Sequence, residues 1–478
     1  MKFLILSLVS AAAINLAFMP VNFTYFIYIA LIPFILMNEN LEPRKAFFYS
    51  IISGIFFYGI RFYWMMDVLH QFNGFKFFYV YLLVILISAV FFGIFGIVIS
   101  IFRKRKWNFL YTASALVIVE YLRGNIPIIA FTWERFSDVL YSQPLILQLS
   151  KIGGEWLLLY LIVLINYLIL KILKRKKTIY IMIVAFILVG IFLSNEIYLH
   201  YQQNDTGKIK IAIIQPNIDP WKKYHENTDK EIYDLIRKSL KQKPNYVVLP
   251  EAAFMYEDLR KNITIKKLSN YATLVIGAAY FKNDRFYNSD FIVRNGNFQE
   301  YRKRHLVPYV EYVPFRNLFG KVAGATSGDT TPGTSTNTFG KNRKFGIEIC
   351  FESIFPELAR KYAENGADFV IVSTNDGWFG KTFAVEEHFR KLNIIAAETG
   401  LNFIQSANTG ISGFIDCNGI TIIKSQKNKK GILYVSHKLK SHPTFYDKTG
   451  NIWVFLLIIP AIIASIVEHL LIKKIIDN

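Results

Sequence analysis

The sequence predicts a bundle of eight membrane-spanning α-helices joined to one water-exposed α/β domain. Of its 478 residues, 53% are apolar, and the mean hydropathy is +0.29, a positive value that a water-soluble protein of this size rarely reaches. The chain is also basic, because 55 Lys and Arg outnumber 35 Asp and Glu, a formal charge of +20. The excess of apolar residues and the excess of basic residues must lie in different parts of the chain. This composition excludes a disordered chain, a collagen-like chain and a disulfide-stapled mini-domain.

Eight apolar runs approach the length of about 20 helical residues that crosses a bilayer. The fifth run is the weakest, because it is short and contains Glu120. The first run also fits a cleaved signal peptide, but the second follows it directly through Pro20, which favours a retained helix. The eight runs cover residues 3–19, 21–37, 46–66, 78–102, 107–122, 156–173, 178–194 and 452–472.

Basic residues predict the orientation of these spans, because Lys and Arg are enriched in cytoplasmic loops. Loops after the first, third and fifth spans carry only scattered charges. Both termini are therefore expected in the cytoplasm, with residues 196–451 on the outer side. The basic runs are explained as flanks of the spans, so no nucleic-acid partner is expected. These runs are Arg44-Lys45, Arg103-Lys104-Arg105-Lys106, Lys174-Arg175-Lys176-Lys177 and Lys473-Lys474.

The polar segment from Lys208 onward has the alternating pattern of an α/β domain, with a sheet covered by helices. The predicted domains are a membrane domain at 1–195, an α/β domain at 208–447 and a last helix at 452–474, with a hinge at 204–207. Strands are predicted at 208–218, 245–251, 273–281, 343–350, 367–375 and 402–408, a hairpin at 285–303 that turns at Asn295-Gly296, and helices at 228–242, 355–364 and 384–399.

Three predicted strands end in a residue that carries chemistry, namely Glu251, Lys303 and Cys350. A carboxylate, an ammonium and a thiol together suit covalent acyl chemistry, as base, oxyanion-stabilising cation and nucleophile. Taken singly, each has a plainer explanation. Glu251 fits a surface charge, Lys303 fits a solvated basic run, and Cys350 fits a small buried hydrophobe.

The flanking segments favour the chemical explanation, because five of them resemble the nitrilase (carbon–nitrogen hydrolase) superfamily, whose triad is Glu-Lys-Cys. Together with the apolar runs and segments 122–133 and 140–154, nearly the whole chain resembles the bacterial apolipoprotein N-acyltransferase family. The resemblance implies an α-β-β-α sandwich for the polar domain. The five segments are, in order, LPEAAF, YRKRHLVPYVEYVPF, ICFESIFPE, STNDGWFG and ANTGIS.

The resemblance also implies roles for single residues. Glu251 is implied as the general base, Lys303 as the oxyanion-stabilising cation and Cys350 as the nucleophile. Glu311 resembles the superfamily's second glutamate, and it would supply a counter-charge to a buried lysine. Glu352, beside the nucleophile, is expected to help fix the turn, and a purely structural role is equally open.

Three tryptophans are candidates for substrate contact. Trp221 and Trp378 match loop aromatics that contact lipid or gate the site in the family, and Trp133 fits the same role. An ordinary anchor at the membrane interface stays open for all three. The second cysteine, Cys417, is predicted to be structural, in a hairpin.

The implied reaction has two halves. Cys350 takes an acyl group from a phospholipid, and the α-amine of a diacylglyceryl-cysteine at the N-terminus of an apolipoprotein then takes it from the thioester. The expected partners are that phospholipid, the diacylated apolipoprotein and the bilayer. No cofactor or metal is expected, because no Cys/His cluster has metal-ligand spacing. The expected protein is a monomer in the bacterial inner membrane with a periplasmic catalytic domain.

Two other functions stay open. A membrane-tethered amidase or nitrilase would use the same triad with water in place of the amine, although one anchor would then suffice. A non-catalytic scaffold or transporter would carry a degenerate domain, although Glu251, Lys303 and Cys350 are all present.

Overall fold

Apolar helices and a two-sheet α/β domain make up the molecule. The computed structural model describes residues 1–73, 78–126, 130–175, 178–200, 204–308, 310–313 and 329–476. Parts of three predicted segments lie outside these residues, namely 127–129, 176–177, 309 and 314–315. The contacts divide the chain into two compact units, the first drawn from residues 1–66, 78–201 and 448–478 and the second from 67–77 and 202–447.

The first unit is helical. Among the described residues, three segments are long and apolar enough to cross a membrane, namely Phe78–Phe102, Ser150–Lys174 and Ile452–Leu471. Shorter apolar helical segments are Lys2–Ala17, Thr24–Glu39 and Thr178–Leu193. The α-helices of this unit are Lys2–Ala17, Ile27–Ala30, Ile32–Glu39, Pro43–Arg61, Phe78–Phe102, Asn108–Asn125, Pro144–Leu147, Ser150–Arg175, Thr178–His200, Ile452–Leu456 and Ile459–Ile476, and Trp64–Asn73 runs from this unit into the second.

One predicted span and one longer helical segment are interrupted where proline or glycine disfavours a continuous helix. The last span breaks between Leu456 and Ile459, just before Pro460, which is tolerated only near the start of a helix. In the segment Ser150–Arg175, Gly154 has a φ of 61°, so the regular helix begins after it. Both breaks lie at proline or glycine, residue types whose backbone preferences are known from the sequence alone.

The second unit contains two β-sheets. The strands are β1 (Asn204–Gln215), β2 (Tyr246–Val248), β3 (Phe254–Met255), β4 (Thr273–Lys282), β5 (Arg285–Arg294), β6 (Asn297–Arg302), β7 (Phe345–Ile349), β8 (Phe369–Thr374), β9 (Asn402–Ala407), β10 (Gly413–Ile415), β11 (Thr421–Lys424) and β12 (Gly431–Ser441). The first sheet has the order β12-β1-β2-β4-β5-β6, with β3 paired to β4, and the second has the order β11-β10-β9-β8-β7. The α-helices of this unit are Pro220–His225, Asp229–Leu240, Ile263–Leu268, Pro356–Glu364, Ala384–Thr399 and Phe445–Thr449.

Three buried apolar clusters arrange this unit in four layers. Between the sheets, Ile211 of β1 and Ile347 of β7 belong to one cluster. Helix Asp229–Leu240 packs Ile232 with residues of the first sheet. Helix Ala384–Thr399 packs Leu392 with residues of the second sheet. The order of layers is helix, sheet, sheet, helix, which confirms the predicted α/β domain.

Most predicted elements of this domain occur with slightly shifted ends. The hairpin turn at Asn295-Gly296 is confirmed, since β5 pairs antiparallel with β6 up to Arg294 and Asn297. The predicted hinge at 204–207 lies within strand β1, where Asn204 and Asp205 pair with Ser441 and Lys440 and the register shifts before Lys208. The composition N-D-T-G is typical of a turn, and only the partner strand far along the chain makes it a strand.

Candidate active site

Glu251, Lys303 and Cys350 all lie just beyond the end of a strand. Lys303 follows β6 directly and Cys350 follows β7 directly, while Glu251 lies three residues after Val248, the last residue of β2. Glu251 and Lys303 are 7% and 1% exposed, and Cys350 is half-buried. The structure therefore brings the carboxylate of Glu251 and the ammonium of Lys303 into one buried ion pair. The charges of both groups act on the pKa of the Cys350 thiol.

Lys303 is held between two carboxylates. Its Nζ lies 3.2 Å from Glu251 Oε1 and 3.0 Å from Glu311 Oε1. Burial lowers the pKa of Lys303, but the charges of Glu251 and Glu311 raise it, and the balance lies well above the usual value. The lysine is therefore a fixed positive charge, suited to stabilising an anion and unsuited to giving up a proton.

Asn288, on β5, completes this cluster and was missed from sequence. Its Nδ2 donates to Glu251 Oε1 at 2.7 Å and to Glu311 Oε1 at 3.1 Å. Glu311 Oε2 in turn accepts from the backbone N–H of Val307 at 2.8 Å. The run Asn288-Ser289-Asp290 inside an otherwise apolar strand was the available signal, because three consecutive buried polar residues need partners.

The segment that carries Glu251 lies against strand β4. A Cβ at Gly277 would meet Pro250 O, and it would lie 2.7 Å from Glu251 Cα and 2.8 Å from Ala252 N. All three neighbours are backbone atoms, which cannot rotate away as a flexible side chain can. Glycine at 277 is therefore required for the position of Glu251.

We expect Gly277→Ala to destabilise the domain by about 1–3 kcal/mol, because the added methyl group must push the Glu251 segment away from the sheet. Thermal unfolding of the purified protein measures this loss. Gly431→Ala is the matched control, since a Cβ there meets no heavy atom within 4 Å. Equal unfolding temperatures for the two variants would contradict the argument.

Cys350 sits in a conformation that its surroundings must enforce. It begins the 3₁₀ turn Cys350–Ile354, and its φ of 53° lies in the left-handed region that a residue with a side chain seldom adopts. Ser353 Oγ donates to Cys350 O at 2.8 Å. Backbone strain of this kind is found where a functional side chain must be aimed.

The surroundings of Cys350 oppose ionisation of its thiol. Burial raises the pKa of Cys350, and the charges of Glu251 and Asp376 raise it further, whereas Lys303 and the neighbouring Thr374 side chain lower it. The balance leaves the pKa well above its usual value. A thiol in this setting would attack a carbonyl only with a base that accepts its proton, and the carboxylate of Glu251 is one of the charges that act on it.

Glu352 ties two of the strand ends together. Its Oε2 accepts from the N–H of Ile349 at 2.8 Å, and its Oε1 accepts from the N–H groups of Arg304 at 2.7 Å and His305 at 3.1 Å. Tyr301 Oη donates to it at 3.0 Å. Burial raises the pKa of Glu352 to about 7, although these backbone donors lower it. The predicted contribution to the turn fits these contacts.

The three candidate tryptophans lie in both units. In the second unit, Trp221 and Trp378 contact each other, with ring centroids 5.5 Å apart and planes at 88°. Trp221 is 40% exposed. Trp133 belongs to the first unit, is 5% exposed, and packs its ring 4.9 Å from that of Trp64 and 6.4 Å from that of Phe131. Trp133 is therefore part of an aromatic cluster within its own unit.

Cys417 is 1% exposed and lies in the turn between the antiparallel strands β10 and β11. This confirms its predicted hairpin position. Within the described part of the chain, no group of three or more His, Cys, Asp or Glu side chains is arranged to hold a metal ion.

Comparison with known proteins assigns a family to both units. Residues 10–168 match the family of the apolipoprotein N-acyltransferase N-terminal domain, and residues 210–442 match the carbon–nitrogen hydrolase family. An apolipoprotein N-acyltransferase of Thermotoga maritima is 31% identical over 462 residues, covering 93% of this chain and 89% of the relative. That of Geobacter metallireducens is 28% identical over 483 residues, covering 94% and 92%. That of Haemophilus ducreyi is 27% identical over 480 residues, covering 94% and 93%.

These matches run through the helical unit as well as the α/β unit, and the two family domains follow one another in the same chain. The buried cluster around Lys303 lies inside the carbon–nitrogen hydrolase match. The chain belongs to the apolipoprotein N-acyltransferase family.

Proposed function

We propose that this protein transfers an acyl chain from a membrane phospholipid to the N-terminal amine of diacylated apolipoproteins, through a thioester on Cys350. One observation carries the proposal. A buried Lys303 is paired with Glu251 and Glu311 and is electrostatically coupled to Cys350. Membership of the acyltransferase family supplies the substrate class.

In the first half-reaction, Glu251 takes the thiol proton as the sulfur of Cys350 attacks the ester carbonyl of the phospholipid. A C–S bond forms, and the carbonyl oxygen becomes an oxyanion that the Lys303 ammonium stabilises. The ester C–O bond then breaks. The lysophospholipid alkoxide leaves with the proton that Glu251 held.

In the second half-reaction, the α-amine of the lipoprotein attacks the thioester. Glu251 takes the amine proton, a C–N bond forms and the C–S bond breaks, and the thiolate of Cys350 recovers its proton from Glu251. A thioester suits this sequence because it keeps the acyl group activated toward an amine. Lys303, as a fixed charge, stabilises both oxyanions without exchanging a proton.

We place the catalytic domain, residues 208–447, on the periplasmic side of the inner membrane, between seven spans in residues 1–195 and an eighth at 452–474. Both termini are then cytoplasmic and the protein is a monomer. The basic loops support this orientation, and the apolar helices support residence in the membrane. Both substrates keep their acyl chains in lipid, because drawing them into water is costly.

Trp221 and Trp378 are proposed to contact the lipid substrates, since Trp221 combines a large apolar surface with 40% exposure. Trp133 was predicted to do the same. Its burial against Trp64 instead favours a role in packing its own segment. Glu311 and Glu352 are proposed to hold Lys303 and the Cys350 turn in place.

A membrane-tethered amidase remains the second candidate, because the same cluster would serve water as well as an amine. The relatives that match this chain over both units carry the name acyltransferase, and this supports the first proposal over the second.

The proposal predicts that the purified enzyme, incubated with phospholipid and no acceptor, gains the mass of one acyl chain on the peptide that contains Cys350. Adding a diacylated lipopeptide should remove the adduct and acylate the peptide's amine. Mass spectrometry measures both changes. Release of ammonia from small amides, without acyl uptake, would contradict the proposal and favour the amidase.

A further inference from the structure

A buried carboxylate–imidazole pair contacts the backbone carbonyl of Cys350, and no step of the proposed mechanism uses this pair. Asp376 lies in the 3₁₀ turn Asp376–Phe379, and His388 lies on the helix Ala384–Thr399. Each is 1% exposed. His388 Nδ1 lies 2.8 Å from Asp376 Oδ1, which also accepts from Thr374 Oγ1 at 2.7 Å.

The second ring nitrogen of His388 faces the backbone of the nucleophile. His388 Nε2 lies 3.3 Å from Cys350 O and 2.9 Å from Ser353 Oγ. The Ser353 hydroxyl already donates its proton to Cys350 O at 2.8 Å. Asp376 Oδ1 and Cys350 O can only accept, so His388 donates to both when it has a proton on each ring nitrogen. The imidazolium is the form that makes both contacts.

Electrostatics favour the same protonation state. Burial lowers the pKa of His388, but the charge and hydrogen bond of Asp376 and the carbonyl of Cys350 raise it, and the balance is upward. Glu251 acts in the same direction. The charge of Asp376 thus favours the imidazolium, while burial opposes it.

The charge of Asp376 also reaches the thiol. Burial and the charge of Glu251 raise the pKa of Cys350, Lys303 lowers it, and Asp376 raises it further, which opposes ionisation of the nucleophile. A carboxylate buried behind a nucleophile therefore hinders attack unless a positive charge lies beside it. His388, when protonated, is a cationic partner at hydrogen-bond distance from Asp376.

We propose that Asp376 and His388 form a positioning pair, in which the His388 imidazolium holds the Cys350 carbonyl and cancels the field of Asp376 at the thiol. Asp376 keeps both ring nitrogens protonated, and His388 then supports the left-handed backbone that aims the side chain. The inference rests on Cys350 as the nucleophile, which is part of the proposed function.

The test measures the rate at which iodoacetamide alkylates Cys350, in a Cys417→Ser background and over a series of pH values. His388→Asn should slow alkylation, because Asp376 keeps its charge and loses its compensation. Each unit by which the thiol pKa rises should slow alkylation about threefold. The fraction of thiolate falls, and the greater nucleophilicity of a more basic thiolate offsets only part of that fall.

The double variant Asp376→Asn/His388→Asn decides between a charge effect and a packing effect. It should restore the rate to within about twofold of the parent, because a neutral pair exerts no net field at the thiol. A purely structural role predicts instead that the double variant is as slow as His388→Asn or slower. That result, or an unchanged rate in His388→Asn, would overturn the proposal.

Two further measurements keep the outcome interpretable. His437→Asn, on β12, is the matched control and should leave the rate unchanged. Thermal unfolding identifies any variant that fails to fold, and His388→Gln then replaces His388→Asn. Alkylation needs no lipid, so failure of phospholipid to acylate Cys350 would refute the proposed function and leave this result standing.

Discussion

Replacing Cys350 with serine is expected to lower acyl transfer by at least about a thousandfold, because the hydroxyl is a far weaker acid than the thiol and Glu251 cannot activate it. The acyl-oxygen ester that serine would form also reacts more slowly with an amine than the thioester does. Transfer of a labelled acyl chain from phospholipid to a diacylated lipopeptide measures the loss. The change removes no buried charge, so the unfolding temperature should hardly change.

Cys417→Ser is the matched control for this experiment. It makes the same sulfur-to-oxygen change in the buried turn between β10 and β11, and transfer should persist. An acyl adduct on Cys417, or full activity in Cys350→Ser, would contradict the assigned nucleophile. A Cys350→Ser variant that kept its full function in cells while transferring no acyl chain in vitro would revive the non-catalytic scaffold.

Lys303→Met is expected to abolish transfer and to destabilise the domain by about 3–5 kcal/mol, because it leaves two buried carboxylates without their counter-charge. Unfolding by heat or denaturant in detergent measures the stability. Adding Glu311→Gln to this variant should recover part of the lost stability, since one uncompensated charge is removed. Transfer should stay absent, because the oxyanion still lacks its cation.

An exposed lysine provides the contrast. Lys430 pairs with Glu231, and the two side chains are 50% and 33% exposed. Lys430→Met should cost less than about 1 kcal/mol, because water screens a pair of this kind. Equal losses of unfolding free energy for Lys303→Met and Lys430→Met would show that the stability contributed by the Lys303 cluster does not depend on its burial.

The sequence was sufficient to predict the ends of the strands that carry chemistry. Glu251 and Cys350 each end a short apolar run, and Lys303 ends the predicted hairpin, so these local patterns are visible without a structure. Asn288 was missed because it lies in mid-strand, and its importance comes from the two carboxylates that other strands bring to it. Such partners are separated in sequence and meet only in the folded sheet.

The same limit explains two other outcomes. The pairing of Asp376 with His388 joins a turn to a helix, and neither residue type signals the other along the chain. The predicted hinge at 204–207 is a strand because β12 pairs with it, more than two hundred residues later in the chain. Local composition indicates turns, strands and helices, while the choice of partners depends on the whole fold.

The bonds of Glu352 have a mechanical consequence. Glu352 accepts hydrogen bonds from the backbone N–H groups of Arg304 and His305, which follow β6 of the first sheet. It also accepts one from the N–H of Ile349, which belongs to β7 of the second sheet. The hydrogen bonds of this one carboxyl group thus join the two sheets. The sheets cannot slide past each other here without breaking these bonds, so Lys303 and Cys350 should move together as one rigid body. Opening motions that admit long acyl chains should therefore be confined to the surrounding loops.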